Sequence, residues 1–175
     1  ENPHTGILTF TADSVDSFYD NFIMDNITVN VVDNDTAGIS VNESGSVTIT
    51  EAGATDTYTI VLTTEPVANV VIAIATADGK TTAAPTPLTF TAANWDTPQI
   101  VTVTAVDDSV AEGNHTGVIT HTATSTDPNY NGYAIAKVSA AITDDETAGV
   151  DIVQTGGSTS VSSGGTTDTF TVALT

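Results

Sequence analysis

Residues Glu1–Gly38 align on Glu112–Gly149 without a gap, at a constant offset of 111 residues, and 14 of the 38 positions are identical. His4 falls on His115, Gly6 on Gly117, Asp16 on Asp127, Tyr19 on Tyr130, Asp33 on Asp144 and Gly38 on Gly149. The other ends match too: Thr55–Thr63 returns as Thr167–Thr175 at an offset of 112, with one residue inserted near Gln154–Ser160. A fixed period of this kind means that one structural unit is written more than once. The chain therefore reads as the last third of one repeat (1–38), a complete repeat (39–149) and the opening of a third (150–175). The two partial pieces total 64 residues, 47 short of a unit. One chain's tail joined to another's head would not rebuild a repeat. A segment of a longer tandem array is the simpler reading. The alternative is an assembly in which chains share strands, since unpaired strand edges invite pairing.

Each unit must fold on a period of two. Tyr58, Ile60 and Leu62 alternate with threonines and Val61. Val70, Ile72 and Ile74 alternate in the same way, as do Val101, Val103 and Ala105, and Val138, Ala140 and Ile142. Such alternation marks half-buried strands, and no stretch has a competing helical period. Seven strands are expected, near 39–50, 56–63, 69–76, 87–91, 99–106, 117–125 and 136–143. Seven short strands in one repeat predict an all-β fold, an immunoglobulin-like antiparallel β-sandwich.

Charge limits the partners. The chain has 22 acids against two bases, Lys80 and Lys137, and a formal net charge of -20. Nucleic acid and anionic membrane surfaces both call for cationic partners and are excluded. There is no cysteine, so neither disulfides nor thiolate chemistry contribute. No apolar run reaches the length of a membrane span. The opening residues do not read as a natural start, so any targeting segment is expected outside this stretch.

The acids fall at strand ends. Glu51 precedes the second strand. Asp107, Asp108 and Glu112 follow the strand at 99–106. Asp144, Asp145 and Glu146 follow the last strand. Strand directions in a sandwich let these three places share one tip. Left bare, the carboxylates would repel. Ca²⁺ takes six to eight oxygens at about 2.3–2.6 Å and suits the set; Mg²⁺ seldom uses an all-protein cage, and Zn²⁺ prefers His or Cys. A solvated acidic loop is the plain alternative.

The run Val106–Gly113, followed by Ile142–Gly149, with Ile49–Gly53 upstream and Pro87–Asp108 between, resembles the Calx-beta family. Domains of this family are named for the regulatory modules of sodium/calcium exchangers, and tandem arrays of them occur in large bacterial surface and secreted proteins. The resemblance implies a β-sandwich that binds Ca²⁺ at one tip, near the junction with the next domain. It implies ligand roles for Glu51, Asp107, Asp108, Glu112, Asp144 and Glu146, with Asp145 bridging or behind them. The family's further acid, before the strand at 87–91, has no clear counterpart; Asp78 is a weak substitute. In the third repeat Ser163 stands where Glu51 stood. The first retains Glu1, Asp33 and Asp35, with Asn34 in the middle position.

The remaining polar residues read as structural. Trp95 is expected to cap the sandwich. His4 and His115 share a slot that suggests a turn role, and His121 aligns with Phe10, which argues against catalysis. No nucleophile motif or phosphate-binding loop is present, so no enzyme activity is expected. Threonine ranks suit a solvent-facing sheet surface. Asn26, Asn34, Asn42 and Asn114 open N-x-S/T sequons. The expected role is architectural: a Ca²⁺-stabilised module of an extracellular stalk, fibre or adhesin shaft, with neighbouring repeats and further copies as partners. Recognition of a glycan or surface by the opposite tip, and filament assembly through edge strands, are the alternatives.

Overall fold

A computed structural model describes residues 4–175, so Glu1 lies outside the described residues. Thirteen strands form: β1 (His4–Leu8), β2 (Ile27–Val31), β3 (Ile39–Asn42), β4 (Val47–Thr50), β5 (Asp56–Leu62), β6 (Val70–Thr76), β7 (Thr81–Ala84), β8 (Leu88–Phe90), β9 (Gln99–Ala105), β10 (His115–Ser125), β11 (Val138–Thr143), β12 (Val150–Gln154) and β13 (Phe170–Leu174). Among the described residues the single helical element is a 3₁₀ turn at Thr155–Gly157.

Residues 39–143 build the all-β sandwich the alternation predicts. One sheet has the order β4-β11-β10-β6-β8 and the other β3-β5-β9-β7. Their inner faces meet in one core. Val47, Ile49, Tyr58, Ile60, Ile72, Phe90, Val101, Val103, Ile119 and Ile142 are all essentially inaccessible to solvent. Burying a large aliphatic side chain contributes about 1.5–3 kcal/mol, so this alternating set is the main source of stability. Trp95 packs half-buried against the same cluster, in the capping position expected of it.

Two features depart from the expected seven strands. The run 39–50 is not one strand but two. Ser44 and Gly45 adopt positive φ (52° and 133°), and Asn42 Oδ1 accepts a hydrogen bond from the Ser44 N–H at 3.0 Å. This turn carries the chain from one sheet to the other. β3 pairs with β5, whereas β4 pairs with β11, and that pair is parallel. The second departure is β7, which pairs with β9 inside what reads as a loop. Its Thr-Thr-Ala-Ala sequence has too little hydrophobic contrast for a period of two to register.

The turn that joins β10 to β11 within one sheet explains one recurring sequence pair. Asp127 is buried, and its carboxylate accepts the Val67 and Asn129 N–H groups, both at 2.9 Å. The Tyr130 hydroxyl reaches the Thr64 carbonyl at 2.7 Å. Asp16 starts the same local turn, accepting the Phe18 N–H on its side chain and the Tyr19 N–H on its carbonyl, both at 3.0 Å. Charge-assisted bonds to buried backbone donors are costly to remove. Asp127→Ala should lower stability by about 2–3 kcal/mol in urea unfolding, while a change at exposed Asp96 should stay within about 0.5 kcal/mol.

β1–β2 and β12–β13 are separate antiparallel pairs. Their registers copy those of the sandwich. His4 pairs with Val31 as His115 pairs with Ile142, and Val150 pairs with Leu174 as Ile39 pairs with Leu62. Their surroundings differ. Val29 is 39% exposed where its counterpart Ala140 is 0%, and Val172 is 57% exposed where Ile60 is 0%.

Candidate metal centre

The tip is assembled by backbone pairing. The parallel β4–β11 ladder continues one step beyond the strands, with the Glu51 N–H donating to the Thr143 carbonyl at 3.1 Å. Glu51 is thereby set beside the exit of β11, where Asp144, Asp145 and Glu146 follow. Ala52, at φ 48°, and Gly53 turn the chain back at once. The β7–β9 ladder also extends, the Val106 N–H donating to the Lys80 carbonyl at 3.0 Å. That places Lys80 and the Asp107–Gly113 loop at the same tip. Finally, the Gly113 N–H donates to Asp144 Oδ2, which ties the loop to the β11 exit.

Four of the seven expected ligands converge directly. Carboxylate oxygens of Glu51, Asp107, Asp145 and Glu146 all lie within 4.8 Å of one another. Asp144 instead serves the scaffold: it binds the Gly113 and Glu146 N–H groups, and the Gly113 bond above all holds its carboxyl below the usual range. Asp108 accepts the Val110 N–H at 2.7 Å and shapes the loop. Glu112 is ion-paired with Lys80, one of the chain's two bases. Its carboxylate groups with Glu51 and His115 rather than with Asp107, Asp145 and Glu146. Asp78 is occupied elsewhere, accepting the Val118 N–H at 2.6 Å and the Lys80 N–H at 3.2 Å.

The electrostatics are those of crowded acids with few bases among them. Glu51 is only 3% exposed. Its carboxyl is raised above the ordinary range by burial first and by the charge of Asp144 second. Glu146 is pushed up to about 7, foremost by a hydrogen bond shared with Asp144, then by burial and by the charges of Asp145 and Asp144. Among the described residues, three buried side-chain atoms lack a hydrogen-bond partner: Thr81 Oγ1, His115 Nε2 and Glu146 Oε2. Two of the three belong to this tip. Buried polar atoms without partners are uncommon in folded chains. Four carboxylates, one of them buried and one with an orphaned oxygen, are an all-oxygen donor set, which fits a hard divalent cation.

His115 is the member that the sequence reading left out. Its slot, shared with His4, suggested a turn. The available signal was its position three residues after Glu112, on the first residue of β10.

A second group of acids lines a cleft of about 230 Å³ at the opposite end, with Asp33, Asp35, Glu65 and Asp127 among its walls. It is not an equivalent donor set, because backbone N–H groups already occupy both Asp127 oxygens. Among the described residues, no helix is long and apolar enough to cross a membrane. No family model matches the chain, and no curated protein matches it.

Proposed function

We propose that residues 39–149 are a Calx-beta-like structural module whose tip binds Ca²⁺, and that the chain is part of an extracellular tandem-repeat stalk, fibre or adhesin shaft. The observation that carries this reading is the convergence of Glu51, Asp107, Asp145 and Glu146. These side chains come from three separate segments: the turn after β4, the loop after β9 and the exit from β11. One ion held among them ties the three together. Ca²⁺ is favoured because flexible, oxygen-rich coordination tolerates several carboxylates, whereas Mg²⁺ demands tighter geometry and keeps its water.

The architectural part rests on the copied registers and the unshielded faces of β1–β2 and β12–β13. Positions that are sealed in the sandwich stand open there, so their apolar sides call for further strands of the same kind. The joint follows from the chain path. Thr36 and Gly38 carbonyls accept hydrogen bonds from Thr63 at 3.1 and 2.9 Å, so the Asp33–Gly38 run is fastened to the near tip of the sandwich. The equivalent run, Asp144–Gly149, leaves the metal tip at the far end. A cation there stiffens the segment that leads to the next unit. The same open faces also favour a second reading, in which a further copy of the chain supplies the strands.

Calorimetric titration of the chelator-treated chain with Ca²⁺, paired with thermal melts, tests the module. Saturable binding with a higher Tm, and a much weaker response to Mg²⁺, is the expected result. An unchanged melt with no binding heat overturns it. Sedimentation in both states separates a single-chain shaft from copy-to-copy assembly.

A further inference from the structure

We propose that Glu51, Glu112 and His115 form a second cation site at the same tip, one that takes a borderline transition metal such as Zn²⁺. Donor atoms of the three lie within 4.8 Å of one another. His115 Nε2 is 3.5 Å from Glu51 Oε1 and 3.6 Å from Glu112 Oε2. Donors around a tetrahedral ion with bonds of about 2.1 Å sit roughly 3.4 Å apart, so the spacing is already close to that of a shared ion.

The imidazole is oriented for the purpose. His115 Nδ1 lies 2.9 Å from the Gly113 carbonyl, and an N–H there donates to it. That bond fixes the tautomer with the Nε2 lone pair facing two carboxylates, the arrangement that presents a histidine to a metal. Without a cation the arrangement is unfavourable. Three electron-rich groups face one another, Nε2 is buried without a hydrogen-bond partner, and Glu51 is 3% exposed. Either a metal or a proton on Nε2 relieves it. The nitrogen discriminates against Ca²⁺ and Mg²⁺, which take oxygen, and in favour of Zn²⁺ and its neighbours. Lys80 does not block the site. Its Nζ donates to both Glu112 oxygens, including the Oε2 that faces His115, and each oxygen keeps a second lone pair, so an ion entering there shares Glu112 with Lys80 or displaces it. The spacing also recurs: Glu1 and His4 repeat the Glu112 and His115 pair at the 111-residue offset. Glu51 is common to both donor sets, but the site does not require the Ca²⁺ reading to hold.

The test uses the whole chain, freed of metal by chelator, near neutral pH. Zn²⁺ is titrated with and without Ca²⁺, and long-range ¹H–¹⁵N spectra follow His115 Nε2. The expected result is a Zn²⁺-dependent shift of Nε2 to a metal-bound position. One Zn²⁺ equivalent should weaken by at least about tenfold in His115→Gln. If His115→Gln binds Zn²⁺ as tightly as the parent chain, oxygens or another histidine hold the ion and the assignment is wrong. If Nε2 instead titrates as an imidazolium and ignores Zn²⁺, a proton fills the gap and the site is refuted. The spectra of the unmodified chain keep the test valid if the variant folds poorly. Zn²⁺ binding without any Ca²⁺ response would sink the Ca²⁺ reading and leave this one standing.

Discussion

In chelator, Glu51→Gln melts a few degrees higher than the parent chain; in saturating Ca²⁺ the order reverses. The first half follows from burial. Glu51 is sealed from solvent and surrounded by other acids, and its carboxyl is raised by burial ahead of every other cause. A buried charge without a partner costs stability, and an amide of the same shape removes that charge. The second half follows from mass action. A ligand at a hundredfold its Kd stabilises the folded state by about 2.7 kcal/mol, and a variant that binds far more weakly forgoes most of this. A solvated acidic loop would give neither effect, because surface substitutions stay within about 0.5 kcal/mol. Differential scanning calorimetry in both buffers reads the two signs directly. A Glu51→Gln chain that is less stable in both would mean that the carboxylate is structural.

The metal-free chain should also lose stability as pH rises from about 4.5 to about 7, against the habit of most proteins. Glu146 is pushed up to about 7 in the fold and Glu51 is raised as well. A carboxyl raised in the folded state binds more protons there than when unfolded. Its contribution is therefore full at low pH and disappears as pH climbs through the folded value. Asp144, held low, works the other way, but only below its unfolded range near 3.8. His121 opposes the trend, since burial holds its imidazole below 6.5 and its contribution is lost as pH falls beneath that value. His121→Phe, the residue found at the equivalent Phe10, isolates the carboxylate effect. Saturating Ca²⁺ should flatten the decline, because a bound ion replaces the proton. Melts at several pH values, with and without chelator, check both. A metal-free chain whose Tm rises through this window even with His121→Phe contradicts the crowding of Glu51 and Glu146.

Much of the fold was legible because buried strands in a sandwich write a period of two. Tyr58, Ile60 and Leu62 announce β5 directly. β7 was illegible because Thr81–Ala84 holds no large apolar residue, and its strand character comes from pairing with β9. The split of 39–50 was illegible for a different reason. The run reads as one strand, and nothing local says that the chain turns at Asn42–Gly45 and resumes in the other sheet. The candidate site shows the same division. Acids at strand ends were visible as a group, but the sorting among them was not. Whether Asp144 or Asp145 faces the others depends on the Gly113 N–H, 31 residues away. His115 escaped because its partner, Glu51, arrives through a parallel pairing that no short-range pattern encodes.

That pairing has a mechanical consequence. The chain enters the sandwich at one tip near Gly38 and leaves at the other after Thr143, and β4 and β11 carry the entering and leaving segments side by side. Force applied between the two tips pulls these strands past each other along their length. Their hydrogen bonds are then loaded together, in shear, rather than opened one by one as in a peeled hairpin. The carboxylate-rich tip sits at the end of this ladder, where sliding would begin. A cation linking Glu51 to the residues after β11 would act there as a latch on the strand pair that bears the load.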